Sequence, residues 1–132
     1  MNHTTKYNSA SEETIKSLGS VIPAQLEEET RHAIGKLKEA LGGKVTNYVA
    51  SRLQLSPEQL SVALAAEQVD GVAFAMYNIE ARGQSVIIGD QTGIGKGRQA
   101  AAMIRYGLLS GYLPIFFTDR YTLFSDMYRD CK

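Results

Sequence analysis

Val86-Ile87-Ile88 leads directly into Gly89-Asp90-Gln91-Thr92-Gly93-Ile94-Gly95-Lys96-Gly97-Arg98, and the reading of that stretch decides the fold. The β-branched run follows a Gly-containing turn and precedes a glycine-rich segment, which suits a buried parallel strand. Gly93 and Gly95 let the backbone curl so that successive N–H groups point inward at phosphate oxygens. A helix starting near Lys96 adds the positive end of its dipole. In that geometry Lys96 reaches the β- and γ-phosphates of a nucleotide. The strict pattern G-x-x-x-x-G-K-[ST] is broken twice, because Asp90 stands at the first glycine position and Gly97 follows Lys96. The Ser or Thr hydroxyl usual after the lysine is a magnesium ligand. Magnesium must here be held differently, by the Thr92 hydroxyl or through a water. A glycine-rich turn without any ligand is the plain alternative.

Downstream, Ala100, Met103, Ile104 and Leu108 share one face of a helix expected over 99–109, and Gly111 can cap its end. Pro114-Ile115-Phe116-Phe117-Thr118 reads as a second strand, so the segment spells β-α-β. Leu123, Phe124, Met127 and Tyr128 pattern a last helix. Upstream, Val69, Val72, Ala73, Met76 and Ile79 keep a helical period up to Gly83, with a break expected at Ala65-Ala66. Ser56-Pro57-Glu58-Gln59 is an N-cap, a Pro at the first helical position and a capping-box Gln. Two further helices precede it: one from Pro23 to Leu41 with Glu27, Glu28 and Glu29 early and Lys36 and Lys38 late, and one striped by Val45, Tyr48, Val49 and Leu53. Gly42 and Gly43 separate them. Residues 1–20 are polar and are expected to be a mobile leader without structure.

Composition narrows the function classes. The chain has 132 residues with 14 Lys+Arg against 14 Asp+Glu, 44% apolar and 21% charged. That is an ordinary globular composition without the basic footprint of a dedicated nucleic-acid or membrane-surface binder. Cys131 is the lone cysteine and His3 and His32 the only histidines, which excludes a disulfide framework, a multi-Cys zinc site and a Ser-His-Asp triad. The cytoplasm is the default compartment. The first twenty residues lack the apolar core of a signal peptide, and no run approaches a membrane span.

The run IIGDQTGIGKGRQAAAMIRY, followed by PIFFTDRYTLFSDMYRD and preceded by AAEQVDGVAFAMYNIE, resembles the start of the strawberry-notch type of superfamily 2 helicase-like ATPases. It is most similar to the large phage and plasmid proteins that join a DNA methyltransferase to such a helicase and act in antirestriction. The resemblance spans about residues 57–130, and more weakly 22–55. That family's motif reads G-x-G-K-G-R, which makes Gly97 and Arg98 expected residues. The resemblance implies nucleotide contacts from Gln68, Thr92, Gly93, Ile94, Gly95, Lys96, Gly97 and Arg98. Gln68 falls where such proteins place an adenine-reading glutamine, whose amide suits the N6 and N7 edge; a polar residue near a helix start is the alternative. Arg98 touches phosphate or is simply solvated or ion-paired. Thr118 and Asp119 fall where relatives contact a nucleic-acid backbone, with ordinary strand-end capping as the alternative.

The resemblance therefore implies an α/β fold: a helical region over 21–64, then an incomplete RecA-like P-loop lobe over 65–132. ATP with Mg2+ is the implied cofactor, and DNA the implied partner of the full-length context. An acidic Walker B strand and a lobe with arginine fingers are not found after Thr118, so the chain reads as the ATP-binding opening segment of a longer ATPase, truncated before Walker B and inactive in hydrolysis alone. Strands at 86–88 and 115–117 would then lack the neighbours that fill such a sheet, which favours self-association. The rival reading is a non-catalytic partner-binding or regulatory module with a vestigial phosphate loop. A small P-loop kinase is disfavoured, since its loop would lie near the N-terminus.

Overall fold

The fold grows from two short loops and one capping box. The computed structural model describes residues 4–10, 15–19, 21–87 and 96–117. After a 3-10 turn at Ala24–Leu26, helix α1 spans Glu27–Ala40 with three glutamates in its first turn and Lys38 in its last. Only Ile34 and Leu37 are buried on it, so most of α1 is solvated. Gly42 and Gly43 take the positive φ values that end it, at 65° and 75°, and the Gly43 N–H donates to the Lys38 carbonyl at 2.7 Å. Helix α2, Val45–Leu53, buries Val45, Thr46, Val49, Ala50 and Leu53.

Helix α3, Pro57–Ala63, starts at the capping box read from the sequence. The Ser56 N–H donates to Gln59 Oε1 at 2.9 Å, and the Gln59 N–H donates to Ser56 Oγ at 3.1 Å. Ser56→Ala is expected to cost about 1 kcal/mol, read as a lower urea midpoint with an unchanged m-value.

The expected break falls at Leu64 and Ala65, both extended, and α4 follows over Ala66–Tyr77. Neither glycine nor proline is there to force it. What replaces the lost helical bonds comes from elsewhere: the Ala66 N–H donates to the Lys16 carbonyl at 2.9 Å, and Arg98 Nη1 donates to the Ala63 carbonyl at 3.0 Å. Helix α4 is the centre of the molecule, buried at Val69, Asp70, Val72, Ala73, Ala75 and Met76 among others. Its apolar side chains join a core cluster that draws on Ala10 and Ile15 of the leader, on α1, α2 and α3, and on Ala102 and Tyr106. A wide π-type turn at Asn78–Arg82 and Gly83, at φ 61°, end it where the sequence placed the stop.

The leader differs from expectation. Thr4–Lys6 forms strand β1, which pairs antiparallel with β2, Val21–Pro23, in the register Thr5↔Ile22. Ala10 and Ile15 are buried. Tyr7 Oη and Ser9 Oγ donate to Asp70 Oδ2 at 2.7 and 2.9 Å, and the Ala10 N–H donates to the same oxygen at 2.9 Å. Ser17 Oγ and the Leu18 N–H donate to the Glu67 carboxylate. The polar composition that predicted a loose segment supplies the donors that two carboxylates of α4 need.

Helix α5 runs over Lys96–Leu109, and Gly111 follows at φ 84°. Its buried face is turned from the expected one. Gln99, Ala101, Ala102 and Tyr106 are buried, whereas Leu108 is 61% exposed. Close approach to α4 explains the rotation, since a Cβ on Gly71 would lie 2.1 Å from Gln99 Oε1. The β-α-β expectation is corrected here. Residues 83–87 and 112–117 form no strand, and Ile87, Leu113 and Phe117 are exposed at 94%, 84% and 85%. Ile88, Thr118 and the helix expected around Leu123 lie outside the described residues. The described protein is thus mostly helical, with a two-stranded antiparallel sheet. None of its described helices is long and apolar enough to cross a membrane.

Candidate functional site

Thr92, Gly93, Ile94 and Gly95 lie outside the described residues, as do Thr118 and Asp119. The two arms that flank the glycine-rich segment are described. The outgoing arm is α5, described from Lys96 through Gly97 and Arg98 onward. Arg98 is exposed, and its bond to the Ala63 carbonyl caps the C-terminal end of α3.

Gln68 sits at the third position of α4, buried, and its Oε1 accepts from the Ala65 N–H at 2.8 Å. That is the helix-start role foreseen as the alternative to adenine reading; Ala65 has no side-chain oxygen to return the bond, so only half of a capping box forms. Two contacts of α5's first turn bracket Gln68 along the chain. Arg98 meets Ala63 before it and Gln99 meets Gly71 after it. Gln68 and Gly71 are three residues apart on one helix and so share a face. Arg98 thereby reaches the α3–α4 junction, at the start of the helix that carries Gln68.

A second cluster was not foreseen. Glu80, in the π-type turn, receives Arg52 Nε on Oε1 at 2.7 Å and Arg52 Nη2 on Oε2 at 3.2 Å. Tyr48 Oη donates to Oε2 at 2.8 Å and Tyr106 Oη to Oε1 at 2.9 Å. The Arg52 guanidinium also lies over the Tyr48 ring, 4.8 Å from its centroid. The partners come from α2, α5 and the turn, so no local spacing announces them. Only the co-occurrence of an unpaired-looking Glu80 after an apolar helix with Arg52 in another could have hinted at the pair.

The Arg52 hydrogen bond, backed by those of Tyr48 and Tyr106 and opposed by burial, holds the Glu80 carboxyl below its ordinary value. Burial, then the bond to Glu80, pushes the Tyr106 phenol up to about 12 and the Tyr48 phenol higher still. A carboxyl with a lowered folded pKa adds stability above its unfolded pKa and loses it as pH falls through the folded value. The wild type is therefore expected to lose stability below the ordinary carboxylate value of 4.5. Glu80→Gln should flatten that acid limb, as measured by urea midpoints from neutral pH downward.

No group of three or more His, Cys, Asp or Glu side chains suited to a metal ion occurs among the described residues. The described donor set therefore gives no site for Mg2+, and no step is assigned to it. No family model matches the chain, and no curated protein or solved structure matches it significantly.

Proposed function

We propose that the protein binds ATP through residues 89–98, as the phosphate-binding segment of a RecA-like lobe in a DNA helicase-like ATPase. One observation supports this most: Lys96, Gly97 and Arg98 are helical, in α5, directly after the glycines of Gly93-Ile94-Gly95, as a phosphate loop leading into a helix requires. On this reading Thr92 would help to hold magnesium, and Thr118 and Asp119 would be the residues that contact DNA in the full-length context. Titration of the protein with a fluorescent ATP analogue, beside Lys96→Ala, tests the reading. Equal affinity of the two proteins sinks it.

A second reading is favoured by a different observation. Leu113, Ile115 and Phe117 are all more than half exposed along one short segment, as in a partner-binding module with a vestigial loop. Under that reading Lys96→Ala changes no binding activity, and self-association at 112–117 is the simplest outcome.

A further inference from the structure

The last turn of α5 and the segment after it present one apolar surface. Leu108, Leu109, Tyr112, Leu113, Ile115 and Phe117 are each between 40% and 85% exposed. The chain folds back at Gly111, which keeps these side chains together: the Tyr112 N–H donates to the Gly107 carbonyl at 2.8 Å, and a Cβ on Gly107 would stand 3.2 Å from Pro114 Cγ. Beyond the turn, exposure alternates as on an extended chain lying against the body, with Leu113, Ile115 and Phe117 outward and Pro114 and Phe116 half-buried. The outward row is wholly apolar. At whole-residue areas of roughly 150–250 Å², the six residues expose on the order of 700 Å². The largest apolar patch of a typical monomer is roughly 300–600 Å², and a standard interface takes about 800 Å² from each partner.

Charge decides what this surface suits. No charged residue occurs between Arg105 and Asp119, and Arg105 is itself engaged, its Nε donating to the Leu53 carbonyl at 2.8 Å. A different protein is steered and selected through charges that complement its own, and this surface offers none. A second copy needs none. A two-fold axis sets a surface against itself, so like charges are what it must avoid; the patch has none, and the 14 Lys+Arg and 14 Asp+Glu of the whole chain balance. We infer that two copies of the chain associate through the last turn of α5 and residues 112–117, about a two-fold axis at Ile115. Ile115 is the middle of the outward row, so the axis sets it against its own counterpart and sets Leu113 against Phe117 of the other copy. Leu108, Leu109 and Tyr112 flank that contact. The inference rests on the partner-binding reading of this surface, which it deepens by naming a second copy as the partner, and it does not depend on phosphate binding.

The test measures the mass of the full chain by sedimentation, from micromolar to submillimolar concentration. The wild type is expected to pass from monomer to dimer. Ile115→Lys and Ile115→Glu, each alone, set like charges against each other at the axis and should weaken association about tenfold or more; their equimolar mixture should associate about tenfold more tightly than either. Ile115 is exposed, so neither substitution should move the urea midpoint. As a second measurement, Ile115→Cys in a Cys131→Ser background should be joined to its counterpart by a short bis-maleimide. Lys38→Cys, on an exposed position of α1, should not. Association that survives both charged variants, a mixture no tighter than its components, or equal crosslinking at 115 and 38 overturns the two-fold contact. So does a wild type that stays monomeric throughout. In that case an apolar dye bound by the wild type and released in Ile115→Lys assigns the surface to a different protein, whereas no dye bound to the wild type overturns the partner-binding reading as well.

Discussion

Lys96→Ala is expected to lower affinity for ATP by roughly 30- to 150-fold, the loss of one charge-assisted contact to phosphate worth about 2–3 kcal/mol. Helix stability does not confound the experiment. Lys96 is helical, in α5, and alanine is at least as good a helix former as lysine. Gly97, Arg98 and the contacts of Gln99 with Gly71 stay as they are. Raising the salt concentration gives an internal control, because an ammonium-phosphate contact near the surface is screened. Wild-type affinity should fall with added salt more steeply than that of the variant. Identical affinities and identical salt slopes would show that the glycine-rich segment does not hold phosphate, and would leave the partner-binding reading.

Asp70→Ala carries the largest expected loss of stability, roughly 3 kcal/mol. Asp70 is 1% exposed, and its Oδ2 accepts from Tyr7 Oη, Ser9 Oγ and the Ala10 N–H. Removal of the carboxylate leaves those donors to find water, which they can do only if the leader lifts from α4. Lifting exposes Ala10, buried in the core cluster. The loss therefore combines hydrogen bonds to a charge with apolar surface returned to solvent. Urea denaturation should show the lower midpoint, and limited proteolysis should cut sooner near Lys6 and Lys16. Asp70→Asn, which keeps one acceptor, should fall between the two. A change of less than about 0.5 kcal/mol with an unaltered cleavage pattern would show that the leader is not anchored through this carboxylate.

Elements that depend on local chemistry were legible in the chain. The Ser56-Gln59 box, the glycine pair after α1 and the stop at Gly83 are all where residue type and spacing put them. Each is decided within a few residues, by a side chain that satisfies a backbone group or by a φ that only glycine adopts cheaply. The helix that follows the glycine-rich segment, α5, belongs to the same kind of signal.

Contacts between distant residues were decided only by the tertiary structure. The leader looked unstructured because its composition buries little apolar surface; it is ordered by Asp70 and Glu67, whose partners lie more than forty residues away. Periodicity placed Leu108 inward on α5, yet the close crossing at Gly71 turns Gln99 and Tyr106 to the core instead. Val86, Ile87 and Ile115 to Phe117 carry strand-forming side chains, yet residues 83–87 and 112–117 form no strand, because strand formation is decided by pairing across the fold and not by side-chain type. The sequence by itself thus determined the helices and their caps, because those are settled by neighbours along the chain. Which faces meet, what anchors the leader and how Glu80 ties α2 to α5 follow from contacts across the fold, and local spacing holds no record of them.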